Sequence, residues 1–488
     1  MTINTLPDVA LLNVFDFHVD ELVEAWRTLV HVCRKWRIVV FGSPRRLNLR
    51  LFCTDRTPIP GKLDHWPSLP IVLMVHKRCW LKWFMDNLIA ALEHNDRICE
   101  LHLVDIPSLQ LETFWGALQR PFPALTRLWL QQTKSETAPV IPASFLGGFA
   151  PRLQTLDLNW IPFPGLPKLL SSATYLVRLS LWGIPYSGYI SPEAMATCLS
   201  VLTRLESLII EFRSFRTHPD QIPRRPLPPT RSLLPVLTVF RFRGVDKYLE
   251  DLVSRIDTPL LENLAITFPN QLIFNSPQLA QFISRALKAG GFEAHDTARV
   301  AFSDRVSFRV PHTNDGRLCL EISWIPIYGQ LSSLVQACSS CLPRTLISSV
   351  EHLYIIQDRF SELHWQDDIE RSQWRELLHI FTAVKVLHIF QEFEPRIKPA
   401  LQELVGERVL PTLQTLFNEE TLSSGVVHWQ GAVRRFERQF STVSSHPEDI
   451  EGWLRGLGEC RPRGEDKRER EISQITRTDD VDAFHVIA

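Results

Sequence analysis

Several things are missing from this chain, and each absence removes a class of protein. The first twenty residues hold Asp8, Asp16 and Asp20 and no Lys or Arg, the reverse of an export signal. The most apolar short stretch, Leu69 to Val75, is seven residues long and contains Pro70. A bilayer span needs ~20 apolar residues, so no membrane partner is expected. Charge of one sign is not in excess: Lys plus Arg number 53 and Asp plus Glu 54. A basic footprint for nucleic acid is therefore absent. The nine cysteines are odd in number and scattered, without a disulfide framework. No Asn-x-Ser/Thr acceptor with a non-proline middle residue occurs. A reducing compartment, cytoplasmic or nuclear, is the expectation.

Catalytic signatures are absent as well. There is no phosphate-binding Gly-x-x-x-x-Gly-Lys-Ser/Thr loop, nucleophile elbow, His-Glu-x-x-His helix or dinucleotide turn. Cys338-x-x-Cys341 stands without the second pair a structural zinc site requires. The expectation is a non-enzymatic chain without cofactor or metal, with an α/β enzyme lacking a recognisable motif as the reading from another class.

What the chain does have is a repeat. An apolar residue, two others, then apolar-x-apolar recurs at Ile98, Leu101, Leu103; Leu125, Leu128, Leu130; Leu153, Leu156, Leu158; and Leu176, Leu179, Leu181. It continues at Leu205, Leu208, Ile210; Leu237, Phe240, Phe242; and Leu261, Leu264, Ile266. Two further copies lie at Val350, Leu353, Ile355 and Val384, Leu387, Ile389. Period-two alternation marks a short strand with one buried face. From Leu101 to Leu264 the middle position steps by 27, 28, 23, 29, 32 and 24 residues, enough for one strand and one return segment. A single such unit cannot bury its own apolar face, but a stack can. The pattern resembles the leucine-rich repeat, of period ~20–29 residues. One departure is plain: the Asn or Cys usual three residues after the last apolar position is replaced by Ile106, Thr133, Ile161, Ile184, Arg213, Val245 and Pro269. Residues 267–349 are degenerate, with a helix near 277–288 and strand-like segments at 299–310 and 318–324.

The first fifty residues have a different period. Thr5-Leu6-Pro7-Asp8 is a helix start, and Leu11, Leu12, Val14 and Phe15 give a wide apolar face. Leu22, Trp26, Leu29, Val32, Cys33 and Trp36 follow at helical steps, until Gly42-Ser43-Pro44 breaks the run. This predicts a small bundle of about three helices. The Leu6-Pro7 opening, the Leu11 to Phe15 face and the Val32-Cys33-Arg34-Lys35-Trp36-Arg37 closing motif resemble an F-box. With Phe-Gly-Ser-Pro-Arg-Arg at 41–46 and the ragged leucine repeats behind, the chain resembles the F-box and leucine-rich-repeat proteins of mushroom-forming fungi. That resemblance implies a substrate-recruiting adaptor of an SCF-type cullin–RING ubiquitin ligase. Leu6, Pro7, Leu11, Val14, Phe15, Val32, Cys33 and Trp36 match the F-box pattern and would meet the Skp adaptor. The alternative is a scaffold whose N-terminal helices merely cap the repeats.

The expected architecture is therefore α/β: a three-helix F-box over 1–50, a linking or capping region over 51–95, and an irregular solenoid with a parallel sheet over 96–425. A capping helix carrying Trp429, Val433, Phe436 and Phe440 is expected within 426–458, and a disordered charged tail over 459–488. Residues 213–235, with six prolines and five arginines, read as an exposed loop or a polyproline ligand. Alternation puts Arg127, Trp129, Asp157, Asn159, Arg178, Trp182, Arg241 and Arg243 on the strand face opposite the leucines. Trp and Arg dominate binding hot spots, so this face is the expected site for an unidentified protein target.

Overall fold

The computed structural model describes residues 6–21, 25–54, 63, 66–75, 82–133, 139–213, 231–290, 296–303, 305–311, 317–323, 327–357, 371–390, 393, 397, 399–401 and 410–419. The expected C-terminal cap, the charged tail and residues 214–230 of the proline-rich stretch lie outside them.

Three helices open the chain: α1 (Asp8–Glu21), α2 (Trp26–Val32) and α3 (Arg34–Gly42). Cys33 separates the last two with extended backbone, and its Sγ accepts the Trp36 N–H at 3.5 Å, acting as an N-cap. Lys35 Nζ donates to the Leu6 carbonyl at 2.7 Å, tying α3 to the chain entering α1. Arg46 holds Asp16 and Asn13 at 2.7 and 2.6 Å and fixes the following turn to α1.

Among the described residues, fifteen strands then form one sheet. Its first members are β1 (Leu51–Thr54), β2 (Ile71–Val75), β3 (Ile98–Ile106), β4 (Arg127–Gln132), β5 (Thr155–Asn159), β6 (Arg178–Ile184) and β7 (Ser207–Phe212). After β8 (Ser232–Leu233) come β9 (Val239–Arg243), β10 (Ile256–Asp257), β11 (Asn263–Pro269), β12 (Thr297–Phe302), β13 (Arg305–Pro311) and β14 (Arg317–Ser323). The last are β15 (His352–Gln357), β16 (Val386–Phe390) and β17 (Thr415–Glu419). β8 and β10 pair with each other in a small separate sheet.

The repeat is written directly into the register. Leu101, Leu128, Leu156, Leu179, Leu208, Phe240, Leu264 and Leu318 are partners in successive strand pairs. One rung along, Leu103, Leu130, Leu158, Leu181, Ile210, Phe242, Ile266 and Leu320 do the same. All sixteen are buried against the helical layer. The strand entrances are joined by a second ladder, in which one carbonyl takes two successive N–H groups of the next repeat. Thr126, Gln154, Val177, Glu206 and Thr238 supply these carbonyls, at 2.8–3.1 Å. The result is a mixed α/β fold on a large parallel sheet, laid out as a leucine-rich-repeat-like solenoid.

The structure departs from the expected layout in two places. The 51–95 segment, expected to link or cap, contributes β1 and β2, so the sheet begins at Leu51. The sheet is also not wholly parallel. Its order after β11 is β14, β13, β12, β15. The chain leaves β11, crosses by the helix Pro277–Lys288 and lands two places too far along. It then folds back through antiparallel β13 to fill the gap at β14. The helix Ile327–Cys341 then crosses over β13 and β14 to resume the forward direction at β15.

At three of the seven strand exits a left-handed residue precedes the place of the missing asparagine. Asp105, Trp160 and Gly183 have φ of 56°, 64° and 59°, each two residues after the last apolar position. The bend turns the next residue inward, burying Ile106 and Ile161 where a ladder asparagine would stand. The freed backbone is satisfied across the repeat: Thr133 N–H donates to Ile106 O at 3.1 Å, Trp160 to Trp182 O at 2.9 Å and Arg213 to Ile184 O at 3.0 Å. Gly183 is required twice over, because a Cβ there would also lie 2.9 Å from the Trp160 ring. Gly183→Ala is expected to cost about 2 kcal/mol. Gly290→Ala, at φ of 84° with open space around it, should cost less. Denaturant midpoints of the two variants separate the clash from the backbone strain.

Candidate interaction surfaces

The eight residues matched to the F-box pattern divide cleanly. Leu11, Phe15 and Trp36 are buried inside the bundle, with the Phe15 and Trp36 rings 4.8 Å apart. Cys33 is half-buried as the helix cap, and Leu6 half-buried against the core. Pro7, Val14 and Val32 are exposed. Sequence matching missed three more exposed apolar side chains on the same helices: Val9, Phe17 at 73% exposure and Ile38 at 63%. Phe17 lies one helical turn from Val14, and that spacing was its signal. These side chains gain no burial where they are, which makes the outer side of the bundle a candidate contact surface.

The bundle is also anchored to the sheet. Trp26 is buried, donates from Nε1 to the Arg50 carbonyl at 3.1 Å, and meets Trp66 edge-on at 5.1 Å.

The strand face opposite the leucines forms rows that cross the sheet. One row places His102, Trp129, Asp157, Ser180, Ile209 and Arg241 on adjacent strands from β3 to β9. A neighbouring row holds Gln131, Asn159 and Trp182, and the row on the other side Glu100, Arg127, Thr155 and Arg178. Trp129 (39% exposed) meets the His102 ring at 6.0 Å. Trp129 and Trp182 stand diagonally across Asp157 and Asn159, and no ring contact joins them among the described residues. Arg241 and Arg243 lie two strand places beyond Trp182, and Arg243 pairs with Glu211 at 3.2 Å.

Glu100, which sequence reading passed over, is the electrostatic anchor at the N-terminal end. It bonds Arg50, lies 3.3 Å from His102 Nε2 and 3.7 Å from Arg127. Burial alone would raise its carboxyl. The His102 hydrogen bond and the charges of Arg50 and Arg127 outweigh burial and hold it below the usual carboxylate range. Asp157 is the opposite case: burial pushes its carboxyl up to about 6. Nearby, Asn159 Oδ1 is buried without a hydrogen bond among the described residues. This pair of acceptors between two indoles suits a donor from a partner.

The Asp157 shift has a testable sign. Its folded-state value lies above the 3.8 of the unfolded chain, so the ionised carboxylate weakens the fold above pH about 6. Protonation relieves that cost as pH falls toward 4. Asp157→Asn is therefore expected to gain ~1–2 kcal/mol at pH 7.5, after discounting for its partial solvent contact, and only a small fraction of that near pH 4. Urea midpoints at the two pH values measure it.

Sequence reading also missed an aromatic stack farther along. Tyr354 and His388 lie parallel at 4.1 Å, and His388 and Phe417 at 4.7 Å. Each occupies the slot between the last two apolar positions of its strand, so alternation carried the signal. Cys338 and Cys341 are both buried in the helix Ile327–Cys341. Burial raises both thiols, that of Cys341 to about 12, which makes them packing groups and not thiolates. Among the described residues, no group of three or more His, Cys, Asp or Glu is arranged to hold a metal ion. No helix among them is long and apolar enough to cross a membrane.

No protein-family model matches this chain, and no curated protein does. Among solved structures the chain is similar to the leucine-rich repeat-containing protein LegL7 from Legionella pneumophila. The identity is 12% over 81% of this chain and 98% of that one, with a TM-score of 0.29. The solenoid assignment therefore stands on the strand register described above.

Proposed function

We propose that this chain recruits a protein target to an SCF-type ubiquitin ligase. The N-terminal bundle serves as an F-box for the Skp adaptor, and the strand face holds the target. The observation that carries this reading is the division within the bundle. Leu11, Phe15 and Trp36 fill its interior, while Val14, Phe17, Val32 and Ile38 are left in solvent. A bundle serving only to cap the sheet needs no such outer surface. The chain itself performs no chemistry in this reading. It raises the concentration of a target beside a ubiquitin carried by other subunits, an effect of proximity. A cytoplasmic or nuclear setting follows from that role.

A ligase-independent scaffold is the second reading, and the anchoring of Trp26 to Arg50 favours it, because a cap must grip the first strand. Retention of a purified Skp adaptor by the immobilised full chain separates the two. The parent chain is expected to retain it. Val14→Asp with Val32→Asp, both exposed, should lower affinity by about a hundredfold or more with the circular-dichroism spectrum unchanged, since burying each side chain is worth ~1.5–3 kcal/mol. Expressed in cells, Trp129→Ala with Trp182→Ala should lose proximity-labelled targets but keep the adaptor. A parent chain that retains no adaptor leaves the scaffold reading standing.

A further inference from the structure

We propose that the middle of the strand face binds an extended acidic protein segment crossing the strands, with carboxylates four residues apart seated on Arg241 and Arg309. This rests on the reading of the strand face as the target surface and names the chemistry of what that surface takes.

One row of the sheet carries the argument. Arg241 is followed by Ala265 on β11, Cys319 on β14 and Arg309 on β13. Two half-buried arginines therefore flank two small side chains, which leave room for a peptide backbone over the strands. Nearby arginines are already matched: Arg243 by Glu211 at 3.2 Å and Arg305 by Glu321 at 3.0 Å. Arg241 and Arg309 have no carboxylate partner among the described residues. Each has a buried Nε without a hydrogen bond among the described residues. A buried guanidinium N–H left unmade is costly, and a carboxylate satisfies it with a charge-assisted bond.

The spacing identifies the occupant further. Three strand steps separate the arginines, about 14 Å. An extended chain advances about 13–14 Å in four residues and returns to the same face. Beyond Arg309 the row continues through Arg299 to the stacked Tyr354, His388 and Phe417. His388 is again three strand steps from Arg309, so a third residue, apolar and four positions on, meets the edges of the aromatic stack. Arginines beside stacked rings also suit single-stranded RNA. A nucleic-acid backbone carries a charge at every nucleotide, which Ala265 and Cys319 between the arginines cannot match, and the stacked rings cover one another's faces, so the peptide is favoured.

The test uses the full chain and fluorescent peptides of about thirteen residues in a Ser/Gly background. One carries Glu at positions 3 and 7 with Leu at 11, and its isomer carries Glu at 3 and 5 with the same Leu. Anisotropy titrations should show the first binding at least about tenfold tighter. Arg309→Gln should erase that preference, while Lys288→Gln, exposed on a helix, should keep it. The comparison of isomers needs no substitution, so it holds even if Arg309→Gln folds poorly. Equal binding of the isomers, a preference surviving Arg309→Gln, or tighter binding of an oligouridylate overturns the proposal. If the isomers tie while Trp129→Ala with Trp182→Ala still loses cellular targets, the target face stands and only its acidic occupant falls. If that double variant keeps every target, the target face itself falls.

Discussion

Replacing Trp26 by alanine is expected to lower stability by ~3–5 kcal/mol, the range for emptying a large buried aromatic site. Trp26 is 2% exposed and shares its environment with Phe41 and Trp66, at ring distances of 6.0 and 5.1 Å. Its indole N–H holds the Arg50 carbonyl, one residue before β1 begins. The substitution thus removes apolar contact and frees a backbone acceptor at the joint between bundle and sheet. Trp26→Phe keeps most of the volume and loses the hydrogen bond, so ~1–2 kcal/mol is expected. Calorimetry reads the outcome. If bundle and solenoid unfold as one unit, the parent shows a single transition and Trp26→Ala adds an early one from the bundle. An unshifted, single transition in Trp26→Ala would mean that the joint carries little of the stability.

The solenoid was legible because its register follows from one pattern. Apolar-x-apolar with another apolar residue three positions earlier determines which face is buried, and strand after strand pairs those positions. Elements outside the pattern were missed for physical reasons. β2, Ile71-Val72-Leu73-Met74-Val75, is apolar on both faces and shows no alternation. β17 has Asn418 where the third apolar residue belongs, opposite Ile389. The reversal at β13 was illegible in the alternation itself. Val306, Phe308 and Val310 read the same in either direction, and only the short connection from Phe302 to Arg305 dictates an antiparallel return.

The bundle teaches a different limit. A motif records which residue types recur, not which of them face inward. Leu11, Phe15 and Trp36 fit the F-box pattern as core, whereas Val14 and Val32 fit it as surface. Phe17 and Ile38 fell outside the pattern although they are the most exposed of the group apart from Val9. On the strand face, alternation correctly separates Trp129, Asp157 and Arg241 from the leucines. It says nothing about which arginines find carboxylates. That depends on neighbours 16 to 32 residues away, such as Glu321 for Arg305 and Glu211 for Arg243.

The reversed segment offers the second large effect. Trp374, on the helix Arg371–Ile380, is fully buried between Phe302 of β12 and Phe393, at ring distances of 5.5 and 5.9 Å. Phe302 and Phe393 also touch at 5.1 Å, so three rings close a triangle under the strand that overshoots its place. Trp374→Ala opens a cavity in a region whose strand order already departs from the repeat, and a loss of ~3–5 kcal/mol is expected. Trp374→Phe should behave differently. The indole Nε1 is buried without a hydrogen bond among the described residues, and removing an unmade donor recovers ~1–3 kcal/mol. That gain offsets most of the lost apolar contact, leaving the Phe variant close to the parent. Denaturant midpoints should therefore run parent and Phe together, with Ala far below. If the Ala and Phe variants fall by equal amounts, the indole ring system itself is needed and ring packing alone does not hold β12 in place. If neither falls, the overshooting strand is secured by its pairing with β13 and β15.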